Sequence, residues 1–225
     1  MKEVVTVALL QLDIVSLKPE VNLAHALDFI EKTVSEESVD LIVLPELSNS
    51  GYVTGDIANF GPGFIRVAEK IPGLFCEGLC EAAMKHNVHI VAGMLEAHPV
   101  IPDIAYNSAI LINSAGKLVG IHHKLHLPGE ERHYFLPGNT VDVFPTELGN
   151  IAIQVCEDGR HPELSRTFAL KGAEIICTVY NAPNLSIPNW IPSCIHHVAG
   201  CRAFENACFF IGCNRSVICL SPLTY

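Results

Sequence analysis

Short runs of apolar, mostly β-branched residues recur along the chain, separated by stretches whose apolar residues have helical spacing. Strands that are apolar throughout must be covered on both faces, so this alternation constrains the fold more than any other feature. It predicts an α/β architecture with helices packed on a sheet. The predicted strands are Val4–Leu10, Asp40–Leu44, His89–Ala92, Ser108–Ile112, Ile151–Val155, Ile175–Val179 and Phe209–Cys213. The predicted helices are Asn22–Ser35, Ile65–His86 and Pro162–Lys171.

A turn signal also lies within the strand-rich part of the chain. Asn113–Gly116 stands between Ser108–Ile112 and a further apolar run, Lys117–Ile121, which predicts a hairpin and therefore a mixed sheet. No repeat, low-complexity linker or change of composition divides the sequence. A single domain spanning residues 1–225 is the expectation.

Charge and cysteine content narrow the possible partners and location. The formal charge is −10, with no lysine- or arginine-rich block. Such a field repels phosphate backbones and anionic lipid, so neither nucleic acid nor a membrane surface is an expected partner. Nine cysteines without disulfide-like spacing, and no secretory signal before them, predict a cytoplasmic protein.

Three reactive side chains follow closely after apolar strands. Glu46 comes after Leu41–Pro45, Lys124 comes after the run that ends at Ile121, and Cys156 comes directly after Ile151–Val155. Residues just beyond the carboxyl ends of strands in an α/β sheet gather in one crevice. We therefore expect an acid, an amine and a thiol to converge there, although they are far apart in sequence.

These three residue types make chemical sense together. A free thiol has a pKa of about 8.5 and is mostly un-ionised at neutral pH. An ammonium such as that of Lys124 favours the thiolate of Cys156, and a carboxylate such as Glu46 can take the proton as general base. The lysine and the backbone N–H of Glu157 can stabilise a tetrahedral oxyanion. This chemistry leads to a thioester acyl-enzyme that water opens.

Several motifs around these residues occur in a fixed order. They are Leu44-Pro45-Glu46 with Gly51-Tyr52 behind it, His123 to Leu127, Phe135 to Gly138, Cys156 to Glu163, and Arg202 to Asn206. Together they resemble the nitrilase superfamily of carbon–nitrogen hydrolases over nearly the whole chain. The resemblance implies an α/β fold of the four-layer αββα type with a mixed central sheet. It also implies a catalytic Glu46–Lys124–Cys156 triad, no cofactor, and homodimers or larger homo-oligomers.

The resemblance further implies a second glutamate that orients Lys124. Glu131 fits this position best, and Glu130 is the adjacent alternative. Tyr52 and Asn181, each just beyond a predicted strand, are candidate substrate-binding residues, as is Glu157. Arg160 either holds a substrate carboxylate or pairs with Glu163 near the following helix.

The residues after Cys156 bear on the substrate class. Glu157-Asp158 gives a Cys-x-Asp pattern, which is similar to the amidase and N-carbamoyl branches, whereas true nitrilases typically have Trp-Glu there. A small amide or N-carbamoyl compound is therefore the expected substrate. Nitrile hydrolysis by the same triad is one alternative, and a catalytically silent assembly or binding protein on this fold is another.

Two further features complete the predictions. His122, His123 and His126 cluster, yet no zinc-ligand spacing occurs, so we predict no metal site and interpret these histidines as loop and strand-end residues. The resemblance weakens after Asn214-Arg215, where family members usually continue with further strands. Residues 1–225 are accordingly expected to lack the usual C-terminal strands and extension.

Overall fold

A computed structural model describes residues 2–52, 63–182 and 190–216, with the side chains of residues 190–194 outside the description. Nine strands and five α-helices lie in these ranges. The strands are β1 (Val7–Leu9), β2 (Leu41–Val43), β3 (His89–Ala97), β4 (Ala105–Ile112), β5 (Leu118–His123), β6 (Phe144–Thr146), β7 (Gly149–Val155), β8 (Ile175–Val179) and β9 (Phe209–Cys213). The helices are α1 (Pro19–Glu36), α2 (Gly63–Arg66), α3 (Leu74–His86), α4 (Pro162–Leu170) and α5 (Trp190–Asn206).

The strands form two sheets, each of which is mixed. The first has the order β1-β2-β3-β4-β5, in which β1, β2 and β3 are parallel and β3, β4 and β5 are antiparallel. The second has the order β6-β7-β8-β9, in which only the β6–β7 pair is antiparallel. The predicted hairpin is present as β4 and β5, joined through Asn113–Gly116.

Alternate residues of the strands divide the core into layers. In β2, Ile42 packs with α1 and α3, whereas its neighbours Leu41 and Val43 face the second sheet. In the second sheet, Ile153 of β7 faces the first sheet, and Ala152 packs against α4. The result is a helix–sheet–sheet–helix sandwich, which is the predicted αββα fold.

The structure corrects several of the predicted elements. The prediction of one helix over Ile65–His86 was wrong, because the chain leaves the helical conformation after Arg66 and α3 begins only at Leu74. Pro72 and Gly73 lie in this break, and proline and glycine are the residues least compatible with a helix interior. The short strand β6 and the helix α5 were missed. No helix among the described residues is long and apolar enough to cross a bilayer.

Both sheets meet at the edge where the candidate site lies. The chain leaves β2 through Pro45, and the Glu46 N–H donates a hydrogen bond of 3.1 Å to the carbonyl of Tyr180, just beyond β8. Gly93 of β3 allows this approach, because a Cβ atom there would lie 2.5 Å from the Cα of Glu46 and 2.6 Å from the Pro45 carbonyl oxygen. Backbone atoms cannot move away from such a contact cheaply, so only glycine fits.

Candidate active site

A lysine between two glutamates forms the centre of the site. The Lys124 Nζ donates hydrogen bonds of 2.8 Å to the Oε1 of Glu46 and 2.7 Å to the Oε1 of Glu131. The three side chains are 0%, 0% and 1% exposed, in the order Lys124, Glu46 and Glu131. Burial alone would lower the pKa of Lys124, but the carboxylates of Glu46 and Glu131 outweigh it and raise that pKa well above its ordinary value. The lysine is therefore a permanent cation.

Two asparagines fix the position of the Glu46 side chain. The Asn107 Nδ2 donates to the Oε1 of Glu46 at 2.7 Å, and the Asn181 backbone N–H donates to its Oε2 at 2.8 Å. The Asn181 Nδ2 also donates to the Glu46 carbonyl at 3.0 Å. Hydrogen bonds to a carboxylate are among the strong ones, so this set holds the Glu46 side chain in one position.

Glu131 is the glutamate that contacts Lys124, whereas Glu130 is exposed on the preceding position of the same 3₁₀ turn, Gly129–His133. The Tyr52 hydroxyl donates to the same Oε1 of Glu131 at 2.5 Å. Burial and the nearby Glu46 carboxylate raise the pKa of Glu131 to about 6, although Lys124 and Tyr52 act in the opposite direction. Because its hydroxyl donates a hydrogen bond to the Glu131 carboxylate, Tyr52 orients this glutamate.

Cys156 occupies a strained position at the end of β7. Its φ is +46°, in the left-handed region that residues other than glycine rarely adopt. The chain reverses there from the strand into the 3₁₀ turn Cys156–Arg160, in which Cys156 as a residue is partly buried. Strain of this kind gathers at functional sites, where the surrounding structure holds it in place.

The charges of the two glutamates and the lysine act on the thiol of Cys156. Burial raises the pKa of this thiol well above its ordinary value, the carboxylates of Glu46 and Glu131 raise it further, and Lys124 lowers it. The balance keeps the thiol protonated at rest. A base must therefore remove the proton as the sulfur attacks, and of the charged groups around the thiol the Glu46 carboxylate has the strongest effect on its pKa.

A buried aspartate joins the 3₁₀ turn Cys156–Arg160, called the cysteine turn from here on, to the end of β5. Asp158 is 0% exposed and accepts hydrogen bonds from His122 Nε2 at 2.9 Å and His126 Nδ1 at 2.8 Å, as well as from backbone N–H groups. Burial alone would raise the pKa of Asp158, but the two histidines and the backbone donors lower it to about 2. Asp158 is therefore shielded from solvent, and its hydrogen bonds hold the cysteine turn against the end of β5.

The four candidate substrate-binding residues have different surroundings. The Tyr52 hydroxyl bonds Glu131 and the Asn181 amide nitrogen bonds Glu46, whereas the Asn181 Oδ1 is buried without a partner among the described residues. Arg160 pairs with Glu157, with its Nη1 3.1 Å from the Glu157 Oε2, so the predicted pairing with Glu163 is not the one observed. The Arg160 side chain is 63% exposed and the Glu157 side chain 21% exposed.

The histidines that suggested a metal site have carboxylate partners instead. His122 and His126 bond Asp158, and the His123 Nε2 lies 2.8 Å from the Oε2 of Glu96. Across the described ranges, no group of three or more histidine, cysteine, aspartate or glutamate side chains is arranged to hold a metal ion.

A cleft of about 490 Å³ lies beside the cysteine turn. Its polar lining comes from His126, Arg132, Glu157 and His161, and loop residues around Phe135 supply the apolar part. The rings of His126 and His161 stack with centroids 3.6 Å apart. The cleft is large enough for a small molecule.

Asn107 is the residue of the site that sequence reasoning missed. It lies in β4, opposite the end of β5, because Ser108 pairs with His123 in the register of the hairpin. The one signal that could have identified it is a polar residue directly before the apolar run Ser108–Ile112. Its partner Glu46 lies far away along the sequence, so spacing alone does not connect the two.

The chain also matches a known protein family and several known proteins. The profile of the carbon–nitrogen hydrolase family matches residues 6–221. The chain is 33% identical to a nitrilase of Pyrococcus abyssi, over 94% of this chain and 75% of that protein. It is 30% identical to omega-amidase NIT3 of Saccharomyces cerevisiae, over 93% of this chain and 73% of that protein.

A further relative shows how much of a longer protein the chain matches. The chain is 32% identical to a probable nitrilase of Schizosaccharomyces pombe over 80% of its own length, but it spans only 63% of that relative.

Among solved structures, Nit3 of Saccharomyces cerevisiae, a member of branch 10 of the nitrilase superfamily, has a TM-score of 0.83 at 29% identity. That alignment covers 96% of this chain and 78% of Nit3. The chain belongs to the carbon–nitrogen hydrolase family of the nitrilase superfamily.

Proposed function

We propose that this protein hydrolyses a small amide or N-carbamoyl compound through a thioester on Cys156. One observation carries the proposal: Lys124 is held between Glu46 and Glu131, and the charges of all three act on the pKa of the Cys156 thiol. A neutral thiol beside an ionised carboxylate and a fixed ammonium is the set that nucleophilic acyl transfer needs.

The first half of the reaction forms the thioester. Glu46 takes the proton of the Cys156 thiol while the sulfur attacks the carbonyl carbon of the substrate, and the carbonyl electron pair moves to the oxygen. The Lys124 ammonium and the backbone N–H of Glu157 stabilise this oxyanion. The tetrahedral adduct then collapses, the carbon–nitrogen bond breaks, and the leaving amine takes the proton from Glu46.

The second half regenerates the enzyme. Glu46, again a carboxylate, removes a proton from water as the water oxygen attacks the thioester carbonyl. When the carbon–sulfur bond breaks, the thiolate of Cys156 recovers that proton and the acid product leaves. Glu131 keeps Lys124 in position throughout, because it accepts a hydrogen bond from the Nζ at 2.7 Å.

Amide and nitrile substrates are both represented in the names of the relatives. Omega-amidase NIT3 supports an amide, as does the Cys-x-Asp pattern, whereas the Pyrococcus abyssi protein is named a nitrilase. Nitrile hydrolysis by the same thiol is therefore the second candidate. A silent assembly protein is the least supported reading, since it predicts that the charged groups of the site lie apart.

The test is turnover of a panel of small amides, N-carbamoyl compounds and nitriles by the purified protein. We expect release of ammonia or an amine, and its loss in Cys156→Ala but not in Cys201→Ala, which removes an exposed thiol of α5. Analysis of the product from a nitrile and from its amide separates the two candidates. Absence of turnover across the whole panel would refute the proposal.

Two further expectations belong to the proposal. Phe204 and Phe209 are 91% and 64% exposed, which supports assembly with a second copy of the chain; light scattering on the purified protein tests this. Seven cysteines of the described residues are free thiols, which supports a reducing compartment such as the cytoplasm.

A further inference from the structure

The two carboxylate oxygens of Glu46 have different surroundings. The Oε1 accepts two hydrogen bonds, from the Lys124 Nζ at 2.8 Å and from the Asn107 Nδ2 at 2.7 Å. The Oε2 accepts one from a described backbone group, the Asn181 N–H, at 2.8 Å. A carboxylate oxygen has about two lone-pair sites, so these donors fill the Oε1 and leave one site on the Oε2.

Asn107 is placed to act on Glu46 and not on a substrate. Its side chain is 0% exposed, and its backbone carbonyl accepts a 2.8 Å hydrogen bond from the backbone N–H of Lys124. Its Oδ1 is buried without a partner among the described residues. Leaving a buried carbonyl unpaired is unfavourable, so the amide contributes through the hydrogen bond that its Nδ2 makes.

We propose that Asn107 is a positioning residue that determines which oxygen of Glu46 acts as the base. With Lys124 it occupies the Oε1 and holds the carboxylate in one rotamer, and the Oε2 then takes the proton from the thiol of Cys156. This inference rests on the proposed function, because it assigns an atom to the first proton transfer of that reaction.

The charge of Glu46 is also influenced by groups from other elements. The charged or titratable side chains that interact with Glu46 or share its network are Lys124 after β5, Glu131 in its 3₁₀ turn, Tyr52, Cys156 after β7 and Tyr180 after β8. None of these residues is itself changed when Asn107 alone is replaced. A change in the pH profile of an Asn107 variant therefore reports on the Asn107–Glu46 contact.

The experiment is the pH dependence of kcat and KM for Asn107→Asp, measured on the amide that the wild-type protein turns over best. Aspartate has the size of asparagine but replaces the donor with a second carboxylate beside Glu46. Like charges in contact favour protonation, and a hydrogen bond to a charged group is worth about one to two pH units. We expect the acidic limb of kcat/KM to move up by at least about one unit, a fall in kcat at pH 7 of about tenfold, and little change in KM.

Two further variants keep the result interpretable. Asn107→Leu removes the donor without adding charge, and we expect a smaller fall in kcat and a smaller upward shift of the acidic limb. Asn139→Asp adds the same charge at an exposed position outside the site, and its profile should match that of the wild type. Thermal unfolding of each variant verifies that it is folded.

The outcomes separate this inference from the proposed function. If the wild type is active and folded Asn107→Asp or Asn107→Leu keeps its pH profile, Asn107 only packs the strand and the inference is overturned while the proposed function stands. If the wild type turns over no amide, nitrile or carbamoyl compound, the proposed function fails and the inference fails with it.

Discussion

Replacing Lys124 with methionine tests the electrostatic balance at the centre of the site. The ammonium lies 2.8 Å from the Oε1 of Glu46 and 2.7 Å from the Oε1 of Glu131, and all three side chains are buried. Methionine has a similar length and no charge, so Lys124→Met leaves two buried carboxylates facing each other across an apolar chain. We expect a large loss of stability as well as of activity.

The size of the stability loss follows from the geometry. Because both Oε1 atoms lie within 2.8 Å of one nitrogen, they cannot be further apart than about twice that distance. Two unit charges about 5 Å apart at an effective dielectric constant of about 20 repel by about 3 kcal/mol. Removing one partner of a buried ion pair costs about 3–5 kcal/mol. For a domain of this size, that loss lowers Tm by about 10 °C.

The assay is thermal and urea unfolding of wild type and Lys124→Met at pH 7.5 and at pH 5. At the lower pH one of the two facing carboxylates takes up a proton, which removes the repulsion, so the difference in unfolding free energy should shrink. Lys117→Met, at an exposed position of the β4–β5 hairpin, is the matched control and should unfold like the wild type. A difference below about 1 kcal/mol at pH 7.5, or an equal difference at both pH values, would refute the reasoning.

Three further predictions concern residues around this centre. Gly93→Ala should lose about 1–3 kcal/mol of stability in urea unfolding, together with activity, because its Cβ would lie 2.5 Å from the Glu46 Cα. Since burial raises the pKa of Glu131 from 4.5 to about 6, the unfolding free energy of the wild type should fall as pH rises through this window; Glu131→Gln should lack that part of the slope. Since hydrogen bonds from histidines such as His122 outweigh burial and lower the pKa of Asp158 to about 2, its carboxylate stabilises the fold above pH 3.8 and ceases to do so as pH falls towards 2. Asp158→Asn should therefore be about 2 kcal/mol less stable at neutral pH, in urea titrations, and close to the wild type near pH 2.

The alternation of apolar runs and helical stretches was enough to predict an α/β fold with helices packed on a sheet, and the resemblance to the nitrilase superfamily implied its αββα layers. Ile175–Val179 and Phe209–Cys213 have the predicted bounds, because strands covered on both faces read as continuous apolar runs. The assignment of each strand to one of the two sheets was not predicted, since nothing local in β6 or β7 says which other strands will pair with them. The break at Pro72 was missed because apolar residues on either side keep the helical spacing.

In the site, too, local sequence signals could be used for prediction, whereas contacts that depend on the folded sheet could not. The ends of β2 and β5 placed Glu46 and Lys124 at the same edge, and the structure brings them into contact. Asn107 was missed because its contact with Glu46 depends on the register of β4 against β5, a property of the folded sheet. Asp158 was interpreted only as part of a motif, and its burial between His122 and His126 could not be known before the two loops were placed.

The central claim, that Cys156 is the nucleophile of an acyl-enzyme, is tested most directly by mass spectrometry of the intact protein after exposure to pooled amides and nitriles. The account predicts a mass increase equal to the acyl group, located by peptide mapping on Cys156 and absent from Cys156→Ala. An adduct on another cysteine, such as the exposed Cys201, or turnover that persists in Cys156→Ala, would contradict it.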